Sequence, residues 1–210
     1  MTDWATISSL ATAGGTLVLA VATFASVRSA NRSARLAELA LQEQRRPVLV
    51  QSRLDDPDQK IMFGDGHWVQ AGGSRAVAEQ VDGNVYLAVS LRNVGAGIGV
   101  LQAWGVRAGR QYSREHHYAD AEFRELSRDL YIPAGDIGLW QGALRDSNDP
   151  LHQEIAAAVS DCQPITIELL YTDQAGGQRT ISRFGLTPAG DGDWLTGVTR
   201  HWYLDHTGPR

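Results

Sequence analysis

Between Trp4 and Val27 the chain carries no charged side chain, and all 210 residues include one cysteine, Cys162, and one lysine, Lys60. Each scarcity excludes something. A lone cysteine rules out an intrachain disulfide, so the fold must be held by its core. That suits a reducing compartment, although exported bacterial domains also do without disulfides. No Lys or Arg precedes the uncharged run, which denies it the basic start of a cleaved secretory signal, even though Ala20-Val21-Ala22 has the small residues of a cleavage site. The glycines at 95, 97 and 99 lack the Lys-Ser/Thr ending and following helix of a phosphate loop. Ser90 sits in no nucleophile elbow, and the Gly190–Asp193 loop has too few oxygen ligands for a calcium loop.

What is present begins with the run itself. From Trp4 to Val27 it is long enough to cross a bilayer, and Leu, Ile, Val and Phe favour insertion by roughly 0.3–0.6 kcal/mol each. Ser, Thr and Gly offset part of that gain. Behind the run come Arg28, Arg32, Arg35, Arg45 and Arg46. Fixed cations resist transfer across a membrane, so arginines on one flank only predict a C-terminal side in the cytoplasm and Trp4 at the outer interface. Localisation to a bacterial inner (cell) membrane, single-pass, is the expectation. A cleaved signal and a buried core helix are the alternatives. Ser8, Ala11, Gly15 and Ala22 share one helical face, where small side chains let another helix approach closely.

Residues 28–46 contain no Gly, Pro or β-branched residue, so a helix can run on from the span until Pro47 stops it. Ala30, Ala34, Ala37 and Leu41 form an apolar stripe along this stem. The stripe suits packing on the domain that follows, a coiled-coil contact, or a helix lying at the lipid surface with its arginines on anionic headgroups. The predicted organisation is therefore 1–27 tail and span, 28–46 basic stem and 47–210 globular domain. Residues 28–46 hold five Arg against two Glu, whereas 48–210 hold fourteen cationic against twenty-one acidic residues. An acidic domain on a basic stem argues against nucleic acid as partner.

Past Pro47 the period changes from helix to strand. Strands are predicted from Val48 towards Leu54, at 60–63 and 67–70 around Gly64-Asp65-Gly66, at 85–91, and at 99–107 as the antiparallel partner of 85–91. Further strands are predicted at 137–144, 165–171, 179–186 and 198–204, with a hairpin loop at 173–177. Two helices are predicted, 119–128 and 150–160, the second capped by Asp149. Seven or eight short strands without intervening long helices predict a mainly β fold, an antiparallel immunoglobulin-like sandwich with short helical insertions. Trp68, Trp104, Trp140, Trp194 and Trp202 are expected in the core or on sheet faces.

The most specific local pattern is Leu91-Arg92-Asn93-Val94-Gly95-Ala96-Gly97, an alternating strand ending in Asn, Gly and Gly. Asn tolerates left-handed backbone and bonds to nearby main chain, and glycine allows a tight change of direction between sheets, so Asn93, Gly95 and Gly97 are read as a structural corner. This corner, with Arg46-Pro47-Val48-Leu49-Val50 before it and Tyr171-Thr172-Asp173-Gln174-Ala175-Gly176 after it, resembles a group of actinobacterial single-pass membrane proteins. In these a span and an Arg-rich helix precede an immunoglobulin-like sandwich. No activity is assigned to the group, so the resemblance implies architecture and attachment and no catalytic residues.

The densest polar cluster is Glu115-His116-His117-Tyr118-Ala119-Asp120-Ala121-Glu122. On a helix His116 and Asp120 would share a face and could begin a metal site, but no second ligand pair lies nearby in sequence. No cofactor is expected. The function expected from sequence is a membrane-anchored, non-enzymatic interaction module with membrane lipid and a protein partner or second copy as its contacts. The alternatives are an exported adhesion-type sandwich, and a metal-dependent enzyme built on the His116/His117/Asp120/Glu122 region.

Overall fold

The computed structural model describes residues 3–112, 117–190 and 192–205. By residue contacts the chain divides into two units, the first ending at Gln44 and the second beginning at Arg45.

The first unit is one helix, α1 (Trp4–Gln44), of 41 residues. At ~1.5 Å per residue it is about 60 Å long, twice the ~30 Å hydrocarbon core of a bilayer. It does not break at residue 27, because the Ala, Leu, Arg, Gln and Glu that follow are all strong helix formers. Its described side chains are exposed, Leu17, Val18, Leu19 and Phe24 to nearly 70%. The hydroxyls of Thr12, Thr16 and Thr23 donate to carbonyls one turn earlier, at 2.7–2.9 Å. Those bonds satisfy polar groups that would otherwise be costly in lipid.

The second unit is an antiparallel β-sandwich. Its strands are β1 (Leu49–Gln51), β2 (Gln59–Met62), β3 (Trp68–Ala71), β4 (Arg75–Val81), β5 (Asn84–Asn93), β6 (Gly99–Ala108), β7 (Arg124–Ile132), β8 (Ile137–Leu144), β9 (Ile165–Thr172), β10 (Thr180–Gly190) and β11 (Asp193–Tyr203). Helix α2 (Pro150–Ser160) lies between β8 and β9. One layer has β5 at its centre, with β8 on one side and β4 and β1 on the other. The second layer runs β11-β10-β9-β6-β7. The layers join where Ala76 and Arg75 pair with Trp194 and Leu195.

Period-two alternation explains the core. Val85, Leu87, Val89 and Leu91 from β5 meet Ile165, Ile167, Leu169 and Tyr171 from β9 and Phe184 from β10, all at zero exposure. Burying each such side chain contributes roughly 1.5–3 kcal/mol. Ile155 and Ala158 of α2 join the same cluster. Asp149 caps this helix by accepting from Leu151 N, with Pro150 in the first turn, as the sequence predicts. The β2–β3 hairpin covers the other face of β5, packing Ile61, Phe63, Val69 and Ala71 on Tyr86 and Ala88.

Three expectations are corrected. The predicted helix 119–128 is a single 3-10 turn, Asp120–Glu122, followed by strand β7. There Leu126, Leu130 and Ile132 turn inward at even spacing, because the free edge of β6 demands a hydrogen-bonding partner. The predicted pairing of 85–91 with 99–107 does not occur: β6 lies in the other layer, between β7 and β9. The opening strand is short, ending at Gln51. The tryptophans fall as expected: Trp68 lies on the exposed face of β3, 60% exposed, whereas Trp104, Trp140, Trp194 and Trp202 are buried.

Candidate functional sites

The candidate membrane span lies in α1. Among the described residues α1 is the one helix long and apolar enough to cross a bilayer by length and composition, with mean hydropathy 1.8 in an 18-residue window inside Ser8–Gln44. Trp4, Ser8, Ala11, Gly15 and Ala22 are exposed along it, and a Cβ on Gly15 would meet nothing within 4 Å. Arg28, Arg32, Arg35 and Arg45 are exposed. Arg46 is different: it is 6% exposed, paired with Asp205, and its guanidinium lies 4.4 Å from the centroid of the Tyr203 ring.

The Asn-x-Gly-x-Gly segment connects the two layers. Asn93 is fully buried, and all of its amide is used. Its Oδ1 accepts from Val48 N at 3.1 Å and Gly95 N at 3.0 Å, while Nδ2 donates to the carbonyls of Gly97 at 2.6 Å and Ile132 at 3.0 Å. A Cβ on Gly95 would lie 2.3 Å from the Arg46 carbonyl oxygen, and one on Gly97 would lie 1.7 Å from that of Arg45. Glycine is needed here for close approach of the 45–48 segment rather than for unusual backbone angles.

The histidine-rich segment supplies no assembled metal site. His116 lies outside the described residues, as does the Asp120 side chain. His117 Nδ1 bonds its neighbour's carbonyl, Tyr118 O, at 2.6 Å, and the ring meets Trp202 edge-on at 5.9 Å. Glu122 accepts from Ala119 N at 2.7 Å and pairs with Arg107. Among the described residues no three His, Cys, Asp or Glu side chains are grouped to hold a metal ion.

One hydroxyl–imidazole pair does form. Ser182 Oγ lies 2.6 Å from His201 Nδ1 and 2.8 Å from the Tyr171 hydroxyl, which accepts from Leu49 N at 3.2 Å. Ser182 and Tyr171 have no exposure, so no substrate carbonyl reaches this serine. Burial holds the His201 imidazole below its ordinary range and pushes the Tyr171 hydroxyl up to about 12. The chain of bonds ties β1, β9, β10 and β11 together.

The outer face of the second layer carries a buried ion pair. Arg183 donates to Glu168 Oε1 through Nε at 2.7 Å, and Glu168 Oε2 accepts from Tyr118 N at 2.8 Å. The Arg183 guanidinium also lies 4.7 Å from the Trp202 ring. Burial, more than the nearby Glu168 charge, pushes the Tyr118 phenol up.

Beside this pair lies an open groove of about 640 Å³, floored by β10 and β11 and walled by Arg110–Tyr112. Gly185 and Gly197 face each other across the two strands. A Cβ on Gly197 would meet nothing within 4 Å, and one on Gly185 only Thr199 Cγ2 at 3.8 Å. Sequence reasoning missed this groove. Its signal was two glycines inside strands, visible as a pair only once the register is known. No protein-family model matches the chain, and no curated protein matches it.

Proposed function

We propose that this protein is a membrane-anchored, non-enzymatic interaction module: a β-sandwich displayed on the cytoplasmic face of a bacterial cell membrane, recruiting a protein partner or a second copy. The observation that carries this reading is α1, whose uncharged first half is exposed and apolar and whose continuation is exposed and arginine-rich. Exposed Leu and Phe over such a length make sense in lipid rather than in water. Arg28, Arg32 and Arg35 favour retention of the C-terminal side in the cytoplasm and add attraction to anionic lipid, roughly 1 kcal/mol for each residue near the surface. Resemblance to the actinobacterial single-pass proteins supports the same arrangement.

The test is fractionation followed by gentle-detergent purification of the intact protein. Retention in alkaline-carbonate-washed membranes and a stoichiometric co-purifying protein, or a defined homo-oligomer, are expected. Release by carbonate contradicts the anchor, and a partnerless monomer contradicts the interaction role.

A further inference from the structure

The groove on the outer face of β10 and β11 is unexplained by folding. Glycine inside a strand costs stability, because it loses more conformational freedom than other residues and offers no side chain to pack. Gly185 and Gly197 are paired in register, neither has positive φ, and each has room for a side chain. Neither backbone geometry nor packing therefore requires glycine at these two positions. What the pair does is keep a strip of sheet bare, and bare strand backbone admits the close approach of another chain.

The charge around that strip points the same way. The domain is acidic overall, and many of its arginines are matched: Arg46 with Asp205, Arg75 with Asp193, Arg92 with Asp56, Arg107 with Glu122, Arg124 with Asp149, Arg145 with Asp65 and Arg183 with Glu168. Arg45, Arg53, Arg110, Arg128, Arg179 and Arg200 have no carboxylate partner among the described residues, and of these Arg110 and Arg200 stand together in this groove. The described lining has no acidic side chain, whereas Tyr112 and Leu195 give it apolar surface. A volume of about 640 Å³ falls within the ~300–1,000 Å³ common for binding sites.

We propose that this groove binds an extended acidic segment of a protein partner, its backbone crossing Gly185 and Gly197 and its carboxylates meeting Arg110 and Arg200. Guanidinium forks match carboxylates in shape, and apolar side chains of the segment rest on Tyr112 and Leu195. The anionic side chains of the partner are complementary to the two cations of this groove, and the acidic balance of the domain as a whole disfavours other registers. This inference rests on the interaction-module reading and names the partner's chemistry.

The experiment uses the full chain in phosphatidylcholine nanodiscs, where both sides of the bilayer are accessible, so its result is independent of topology. The probe is a fluorescein-labelled decapeptide of alternating Glu and Val, read by anisotropy, with an alternating Gln and Val peptide as its neutral counterpart. Saturable binding of the acidic peptide is expected, at least tenfold tighter than the neutral one. It should weaken at least tenfold in Arg110→Glu/Arg200→Glu, and equally in Gly185→Val/Gly197→Val, which fills the groove without changing charge. Gly185→Ala, checked for folding by near-ultraviolet circular dichroism, should weaken it partly. Absence of saturable binding, or binding that survives both double variants, overturns the proposal. Displacement by millimolar inorganic phosphate, or by phosphatidylglycerol placed in the nanodisc, assigns the groove to a small anion or a lipid headgroup and overturns it too.

Discussion

Arg46 and Asp205, 159 residues apart in the chain, meet in a two-pronged ion pair, with Nη1 to Oδ1 at 3.0 Å and Nη2 to Oδ2 at 2.6 Å. The pair joins the segment that opens the second unit to the end of β11, and the Tyr203 ring backs the guanidinium. An arginine read from sequence as a lipid contact is thereby used inside the domain. The side chain of Arg46 is 5% exposed, so Arg46→Ala leaves Asp205 without its main cation and is expected to destabilise the domain by about 3 kcal/mol. Thermal melts of Arg46→Ala, Asp205→Asn and the double variant check this; additive losses would show that the two residues are not coupled.

The corner makes a sharper steric prediction. Gly97→Ala places a methyl group where the Arg45 carbonyl oxygen stands, and it should prevent normal folding or lower the melting temperature by well over ten degrees. Gly64 has ordinary backbone and open space around it, so Gly64→Ala should be nearly silent. Asn93→Ala removes four hydrogen bonds and strands buried backbone groups, with an expected cost of about 3 kcal/mol or more. Denaturant melts followed by tryptophan fluorescence distinguish the three.

Glu168→Ala removes the buried carboxylate that pairs with Arg183 and leaves Tyr118 N without this acceptor. Breaking such a pair costs about 3–5 kcal/mol. Replacing both members by apolar residues, Glu168→Leu with Arg183→Met, should cost less than Glu168→Ala alone. Urea unfolding of the three proteins measures the order, and the reverse order would contradict it.

His201 gives a pH signature. Its imidazole is held below its ordinary range by burial, so the unfolded chain takes up the proton first, near pH 6.5. The unfolded state binds more protons below that point, so stability is full above about pH 6.5 and declines as pH falls towards the folded value. Stability curves for the wild type and His201→Gln should diverge from parallel across that window. Identical pH dependence would remove His201 as its source. The Asp65 carboxyl, held down to about 2 chiefly by the Tyr86 hydroxyl, contributes below the ordinary carboxylate range, and the His201→Gln comparison separates the two.

How legible this protein was in its sequence depended on the range of the interaction read. Local signals carried far: Asp149-Pro150 opened α2, the 137–144 alternation matched β8, and the unbroken Ala/Leu/Arg stem matched the second half of α1. Non-local pairing did not. The segment 124–132 has helix-tolerant residues, and only the exposed edge of β6 makes it a strand. Strand β4 went unread although Asp82-Gly83 is a strong two-residue hairpin signal, with φ of 51° and 79° at those residues and Val81 opposite Asn84. Asn93 stood out as a corner residue, but its bonds to Val48 and Ile132 depend on chain segments far away. The Gly185–Gly197 pair and the meeting of Arg110 with Arg200 in one groove are likewise properties of register, invisible to a reading along the chain.

Cys162 is exposed and is the only thiol in the sequence, which makes it a native reporter of topology. Intact cells are treated with a membrane-impermeant maleimide before and after permeabilisation, alongside Asp3→Cys in a Cys162→Ser background. Cys162 is predicted to label only after permeabilisation, and the residue-3 thiol to label in intact cells; the opposite pattern would contradict a cytoplasmic sandwich held by an N-terminal span.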